Sequence, residues 1–196
     1  MVDILCFFHI ILSMSKVFIL IGCVGAGKTT CANKLKLEKN TIVISADEIY
    51  KTLPLKKIST KPYDHKIRNK ILNKMYAELE RNLSANINCV IDYTNMPTRR
   101  RHKFLMIAKR HSAEIVCKLL LVDKLTCLNQ MLKRETNNSA SHKIKDKETT
   151  IDLYFKRIKN NLPTLHEGFD VIETYYNGQL YSFKQNAKHK KTKPKN

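Results

Sequence analysis

The chain has 196 residues, 43% of them hydrophobic, enough for one compact domain with a real core and too few for a second of similar size. Lys and Arg number 36 against 17 Asp and Glu, a formal charge of +19 that favours a polyanionic partner, although a Lys-, Asn- and Ile-rich bias of the kind an AT-rich genome produces contributes to the same excess. The six cysteines form no CxxC pair and none has a histidine at zinc-ligand spacing, which excludes a disulfide framework or zinc module and suits a reduced, intracellular protein, nuclear or cytoplasmic.

In chain order, Ile4 to Leu12 is apolar but too short to span a bilayer as a helix, and Asp3 is the wrong charge for a signal start, so no stable membrane association is expected. Met14 stands just before the first strand pattern. Residues 1–15 are therefore set apart as an extension: an artefact of gene calling with Met14 as the start, an edge strand, or a weak anchor. The domain proper runs over 16–185. Lys16 to Ile21 is a continuous apolar run before Gly22, as in a strand buried on both faces. A helix follows over Thr29–Leu37, then a strand over Thr41–Ser45 ending at Ala46-Asp47. Residues 64–85 place Ile67, Ile71, Leu72, Met75, Leu79 and Leu83 on one helical face. Further strands are expected at Asn88–Asp92 and Ile115–Val122, with helices from Pro97 to His111, Thr126 to Glu135 and Ile151 to Asn161. Residues 136–147 are polar and Gly-free and read as a mobile loop. Val171–Tyr176, Asn177-Gly178 and Gln179–Phe183 read as a hairpin with a two-residue turn. Residues 186–196 carry five lysines and read as a disordered basic tail. The alternation predicts an α/β fold, a parallel sheet flanked by helices with a C-terminal hairpin.

Gly22-Cys-Val-Gly25-Ala26-Gly27-Lys28-Thr29 matches GxxxxGK[ST], with a strand before it and a helix after it. Glycines let successive N–H groups turn inward around phosphates, and the following helix adds its positive end. Gly22, Gly25, Ala26, Gly27, Lys28, Thr29 and Thr30 are the expected ATP contacts, with Lys28 on the β- and γ-phosphates and the Thr29 hydroxyl on Mg²⁺. Cys23, within the loop, reads as a small filler. No NKxD guanine-reading motif follows and the chain is short for a motor, which leaves chiefly a small P-loop kinase.

Asp47 lies at the carboxyl end of a strand, where ligand crevices form in open parallel sheets. It can serve as the base that takes the acceptor proton, or as the cap of the next helix, or as both. Asp92 ends Cys89-Val-Ile-Asp92 in the manner of a Walker-B residue that helps hold Mg²⁺ or orients Thr29. Thr94 and Asn95 follow in the same loop and either bind acceptor or phosphate or build the turn. Arg134, at the end of a helix before a polar segment, is a candidate lid arginine or an ordinary basic helix end. Arg99, Arg100 and Arg101, with His102 and Lys103, open a helix beside the crevice, where they either contact strand phosphates or form a solvated face. Tyr63 or Tyr93 can stack on a base or pack at the rim.

Gly-x-x-Gly-Ala-Gly-Lys-Thr, Ser-Ala-Asp47 and Ile-Asp92-Tyr-Thr94-Asn95 resemble the polynucleotide 5′-hydroxyl kinases, in particular the kinase half of the eukaryotic polynucleotide kinase/phosphatase. The resemblance covers about residues 16–176 and extends to Arg134-Glu135, Ser141-His142 and Pro163-Thr-Leu-x-Glu167-Gly-Phe169, the last being its most specific part. It implies transfer of the ATP γ-phosphate to 5′-hydroxyl ends of nucleic acid, DNA ahead of RNA, in strand-break repair. It also implies Asp47 as base, Lys28 and Thr29 on triphosphate and metal, Asp92 in the metal network and Arg134 in the lid. Ser45-Ala46 stands where the family usually has Arg or Asn before the catalytic Asp, and a second lid arginine is not evident. The chain also lacks a DxDGT-like acid pair, so it would be a kinase-only version. The competing readings are a P-loop kinase of a nucleoside, sugar or other small acceptor, and a catalytically weak nucleic-acid-binding relative.

Overall fold

Strand β1 (Lys16–Ile21) is apolar on both sides because it lies in the middle of a six-stranded sheet ordered β2-β3-β1-β4-β5-β6. The other strands are β2 (Thr41–Ser45), β3 (Asn88–Asp92), β4 (Glu114–Leu121), β5 (Val171–Tyr176) and β6 (Gln179–Gln185). Ile19 of β1 pairs in register with Ile91 and Cys117, and β1 to β5 are all parallel, with β6 antiparallel at the edge. The structure, a computed structural model, describes residues 14–53, 65–136 and 146–187, without the side chains of 134–136. The extension at 1–13, the loop expected after Thr136 and the basic tail beyond Ala187 lie outside the described residues, as do Tyr63, Ser141 and His142.

Helices α1 (Lys28–Leu35), α2 (Ala46–Lys51), α3 (His65–Ser84), α4 (Thr98–Arg110), α5 (Lys124–Thr136) and α6 (Lys147–Lys159) cover the sheet. On one face Val17, Ile19, Ile21, Ile91, Ile115 and Cys117 pack against Met75, Leu79 and Leu83 of α3 and Phe104 and Leu105 of α4. On the other, Phe18, Leu20, Val90 and Val116 meet Ala32 and Leu35 of α1. A smaller cluster joins α5 and α6 to the loop after β1 through Cys23, Cys127, Met131, Ile151 and Ile158. The α/β fold and C-terminal hairpin are as expected. Asn177 and Gly178 take φ of 47° and 84°, the left-handed pair that a tight two-residue hairpin requires.

Several boundaries differ because caps decide them. α5 starts at Lys124 rather than Thr126, since Asp123 accepts hydrogen bonds from the Thr126 N–H at 2.7 Å and its hydroxyl at 2.8 Å. α6 starts at Lys147 rather than Ile151, with Asp146 accepting from the Thr149 N–H at 3.0 Å. Pro97 is the N-cap of α4, not its first helical residue. Ser45 caps α2, so Asp47 is not the cap; it sits in the first turn beside Glu48.

An unanticipated 3₁₀ turn, Leu165–Glu167, explains the Pro163–Phe169 motif. Its Glu167 carboxylate takes two hydrogen bonds from Arg101, from Nε and Nη2 at 2.7 Å each, and a third from the Thr164 N–H at 3.1 Å. Arg101 is completely buried, and Phe169 is buried in the main core. Removing one partner of such a pair leaves a buried charge uncompensated. Glu167→Ala is therefore expected to lower unfolding free energy by about 3–5 kcal/mol in urea titrations, and the double change with Arg101→Met should cost less than the sum of the two singles.

Candidate active site at the carboxyl edge of the sheet

The loop after β1 is shaped by two left-handed glycines. Gly25 (φ 82°) lies against α5 so closely that a Cβ there would meet the Cys127 carbonyl oxygen at 2.7 Å. Gly27 (φ 83°) is the N-cap of α1, and a Cβ there would meet nothing within 4 Å. Ala26 is buried beneath the loop, Gly22 lies at its start, and Thr30 is exposed in the first turn of α1. Cys23 is a buried filler whose Sγ lies 2.7 Å from that of Cys127. That hydrogen bond pulls the Cys23 thiol below its ordinary value and pushes the Cys127 thiol up. Lys28 is buried, and its Nζ donates to the loop's own carbonyls, Cys23 at 2.6 Å and Gly22 at 3.1 Å.

Thr29 and Asp92 come together across the edge between α1 and β3, the hydroxyl donating to Oδ2 at 3.0 Å. Both are oxygen donors, and Asp92 is buried. They fit Mg²⁺, which is commonly held by one or two protein oxygens while phosphates and water complete its shell. Among the described residues no group of three His, Cys, Asp or Glu side chains forms a metal cage of its own. Asp47 stands on the neighbouring strand's exit: Ser45 pairs in register with Asp92, and Asp47 is two residues further, exposed, with no hydrogen bond or ion pair among the described residues.

The loop after Asp92 corrects two expectations. Asn95 is fully buried in a left-handed conformation (φ 45°), its amide donating to the carbonyls of Leu20 at 2.9 Å and Tyr93 at 3.2 Å. It builds the turn and is not a substrate contact. Arg101 is not a phosphate contact either: besides Glu167, its guanidinium donates to the Asn95 and Met96 carbonyls and the Thr98 hydroxyl. Arg100 points elsewhere. It donates to Thr94 Oγ1 at 3.3 Å and its guanidinium lies 4.7 Å over the Tyr93 ring. Burial pushes Arg100 below its ordinary value, opposed by Tyr93 and reinforced by the charges of Arg68 and Arg99. Arg99 is exposed. Arg68, on α3, was not singled out from sequence; its spacing with Leu72 and Tyr76 on one helical stripe was the available signal. Arg134 falls in the last turns of α5, but its side chain lies outside the described residues.

A strand ending on the phosphate loop, a lysine and threonine opening the next helix, and an aspartate from the adjacent strand on that threonine define a P-loop kinase. The chain belongs to the AAA domain family (AAA_33), whose model matches residues 17–157. Among solved structures it is similar to a chain of the Pnkp1/Rnl/Hen1 RNA repair complex, with 19% identity and a TM-score of 0.63 over 76% of this chain and 45% of that one. It is also similar to a chain of the PezAT chromosomal toxin–antitoxin system of Streptococcus pneumoniae (20% identity, TM-score 0.67, 87% and 72% covered). A sugar kinase from Janibacter sp. HTCC2649 shares the fold as well (15% identity, TM-score 0.52, 83% and 85% covered). The chain thus spans less than half the length of the RNA repair protein, and at these identities the likeness is one of fold. No curated protein matches the chain in sequence. No helix among the described residues is long and apolar enough to cross a membrane.

The two glycines give contrasting tests. Gly27→Ala carries only the left-handed strain, about 1–2 kcal/mol, so the protein should fold and bind ATP more weakly. Gly25→Ala adds a clash with backbone and should abolish ATP binding in calorimetry. Equal effects would contradict the loop's packing on Cys127.

Proposed function

We propose that the protein transfers the γ-phosphate of ATP to the 5′-hydroxyl end of a DNA or RNA strand, a reaction suited to strand-break repair. The observation that carries a hydroxyl acceptor is Asp47: an exposed carboxylate with no hydrogen bond or ion pair among the described residues, at the same sheet edge as the Thr29–Asp92 pair. The formal charge of +19 and the fold shared with a chain of an RNA repair complex support nucleic acid as that acceptor.

In this reading Asp47 accepts a hydrogen bond from the 5′-hydroxyl and takes its proton as the oxygen attacks the γ-phosphorus. The bond from that phosphorus to the β-phosphate oxygen breaks, and ADP leaves. Lys28 exchanges the Cys23 and Gly22 carbonyls for the β- and γ-phosphate oxygens, which are the stronger acceptors for an ammonium. The loop from Gly22 to Gly27 and the first amides of α1, at Thr29 and Thr30, surround the phosphates with N–H groups. Thr29 and Asp92 would hold Mg²⁺, which would supply positive charge to offset that of the triphosphate. Arg134 serves as the lid cation on the transferred group.

The test is transfer from γ-labelled ATP to 5′-hydroxyl DNA and RNA oligonucleotides, with nucleosides and sugars as competing acceptors. Label on the oligonucleotide is expected, and Asp47→Asn should lower turnover by about 10²–10⁴-fold with ATP affinity unchanged. Label confined to nucleosides or sugars would make the protein a small-molecule kinase. Strand binding with no transfer to any acceptor would make it a nucleic-acid-binding relative.

A further inference from the structure

Three consecutive arginines open α4, and the helix sends them three ways. At about 100° per residue, Arg101 turns inward to Glu167, Arg99 turns to solvent, and Arg100 comes to rest half-buried over Tyr93. Arg100 is the anomaly. Its guanidinium has lost part of its water, it gains only the Thr94 hydroxyl and an aromatic face, and the cations around it are Arg68 and Arg99. Two other cations drawn into the fold do have carboxylates: Arg101 pairs with Glu167 and Lys118 with Glu173. Among the described residues no carboxylate pairs with Arg68, Arg99, Arg100 or Lys103.

The setting makes this arrangement costlier. The first turn of α4 holds no acidic residue, and its cap, Pro97, offers no side-chain acceptor, so Arg99 and Arg100 stand at the positive end of the helix dipole. A half-buried arginine beside like charges at a helix N-terminus is unfavourable until an anion arrives. The cluster continues along α3, where Arg68, Leu72 and Tyr76 form one stripe about 12 Å long, and Lys103 lies 4.3 Å over the Tyr76 ring. This seam between α3 and α4 begins at Thr94, two residues beyond Asp92, and α3 also packs against α2, which carries Asp47.

We propose that the α3–α4 seam is the binding site for the phosphodiester backbone of the acceptor strand, with Arg68 and Arg100 as its phosphate contacts and Tyr93 as the platform that holds Arg100. The inference rests on the reading of the acceptor as nucleic acid and names where that acceptor lies. The Tyr93 ring holds Arg100 in place: a guanidinium resting over a ring retains N–H groups for phosphate oxygens in a fork that lysine cannot reproduce. Such contacts supply affinity without reading sequence, so DNA and RNA of unrelated sequence bind alike.

The experiment uses the full chain and a 5′-hydroxyl single-stranded oligonucleotide labelled at its 3′ end, with anisotropy measured over a range of salt. Arg68→Gln and Arg100→Gln are each expected to weaken binding about tenfold or more and to reduce the slope of log affinity against log salt by about 0.7. Arg81→Gln, the same charge change near the far end of α3, should have a much smaller effect. ATP affinity should be unchanged in all three, and none should lower the melting temperature of the free protein. Arg100→Lys should recover only part of the loss. If the Arg68 and Arg100 variants lose no more than Arg81→Gln, or if the wild type binds no strand, the seam is refuted. Transfer measured on the same preparations separates the two ideas. Equal oligonucleotide KM in wild type and variants overturns the seam and leaves the kinase reading standing. Arginine-dependent binding without transfer overturns the kinase reading and keeps the seam.

Discussion

Arg101 is the side chain on which the geometry of the site turns. Its guanidinium has no contact with water, and its N–H groups are spent on Glu167, the Asn95 and Met96 carbonyls and the Thr98 hydroxyl. One rigid fork therefore ties the turn after β3 and the first turn of α4, which follow one another in the chain, to the 3₁₀ turn before β5, 66 residues on. A buried ion pair of this kind is seldom a net gain over an apolar core. Its work here is positional. It fixes the turn that follows Asp92, whose carboxylate meets Thr29, and it sets the rotation of α4, which brings Arg100 over Tyr93.

The two sides of the crevice are built on different electrostatics. On the nucleotide side, charge is handled by backbone and by groups already satisfied: Lys28 rests on loop carbonyls, and Thr29 on Asp92. Such a site is held in shape before ligand arrives, so little reorganisation is needed when phosphates replace the internal partners. At the Thr94 end of the α3–α4 seam, Arg68, Arg99, Arg100 and Lys103 have no carboxylate partner among the described residues, and Arg100 and Lys103 lean on tyrosine rings. A surface of that kind suits a polyanion. The overall excess of basic residues would speed the approach of such a ligand and make binding sensitive to salt.

The phosphate loop was legible in the sequence because its residues are locked together by spacing within a single strand–loop–helix unit. The sheet and main helices were legible for a similar reason, since each carries its own hydrophobic period. What was not legible depends on partners far away in the chain. Arg99, Arg100 and Arg101 are chemically identical in sequence, and only Glu167, 66 residues on, decides that Arg101 is structural. Asn95 looked available because its partner, the Leu20 carbonyl, belongs to a different strand 75 positions earlier. The starts of α5 and α6 were misplaced because Asp123 and Asp146 act as caps ahead of the apolar pattern. The Pro163–Phe169 motif stood out as specific, and its role as the acceptor for a buried arginine emerged only from the fold.

The most direct test of the account is a structure of the protein with a non-hydrolysable ATP analogue, Mg²⁺ and a short 5′-hydroxyl strand. The account requires Lys28 to have moved from the loop carbonyls onto the phosphates, the strand's hydroxyl to lie within hydrogen-bond reach of Asp47, and its backbone to run along the α3–α4 seam. A strand seated elsewhere, or a hydroxyl held away from Asp47 while the nucleotide is fully bound, would contradict it.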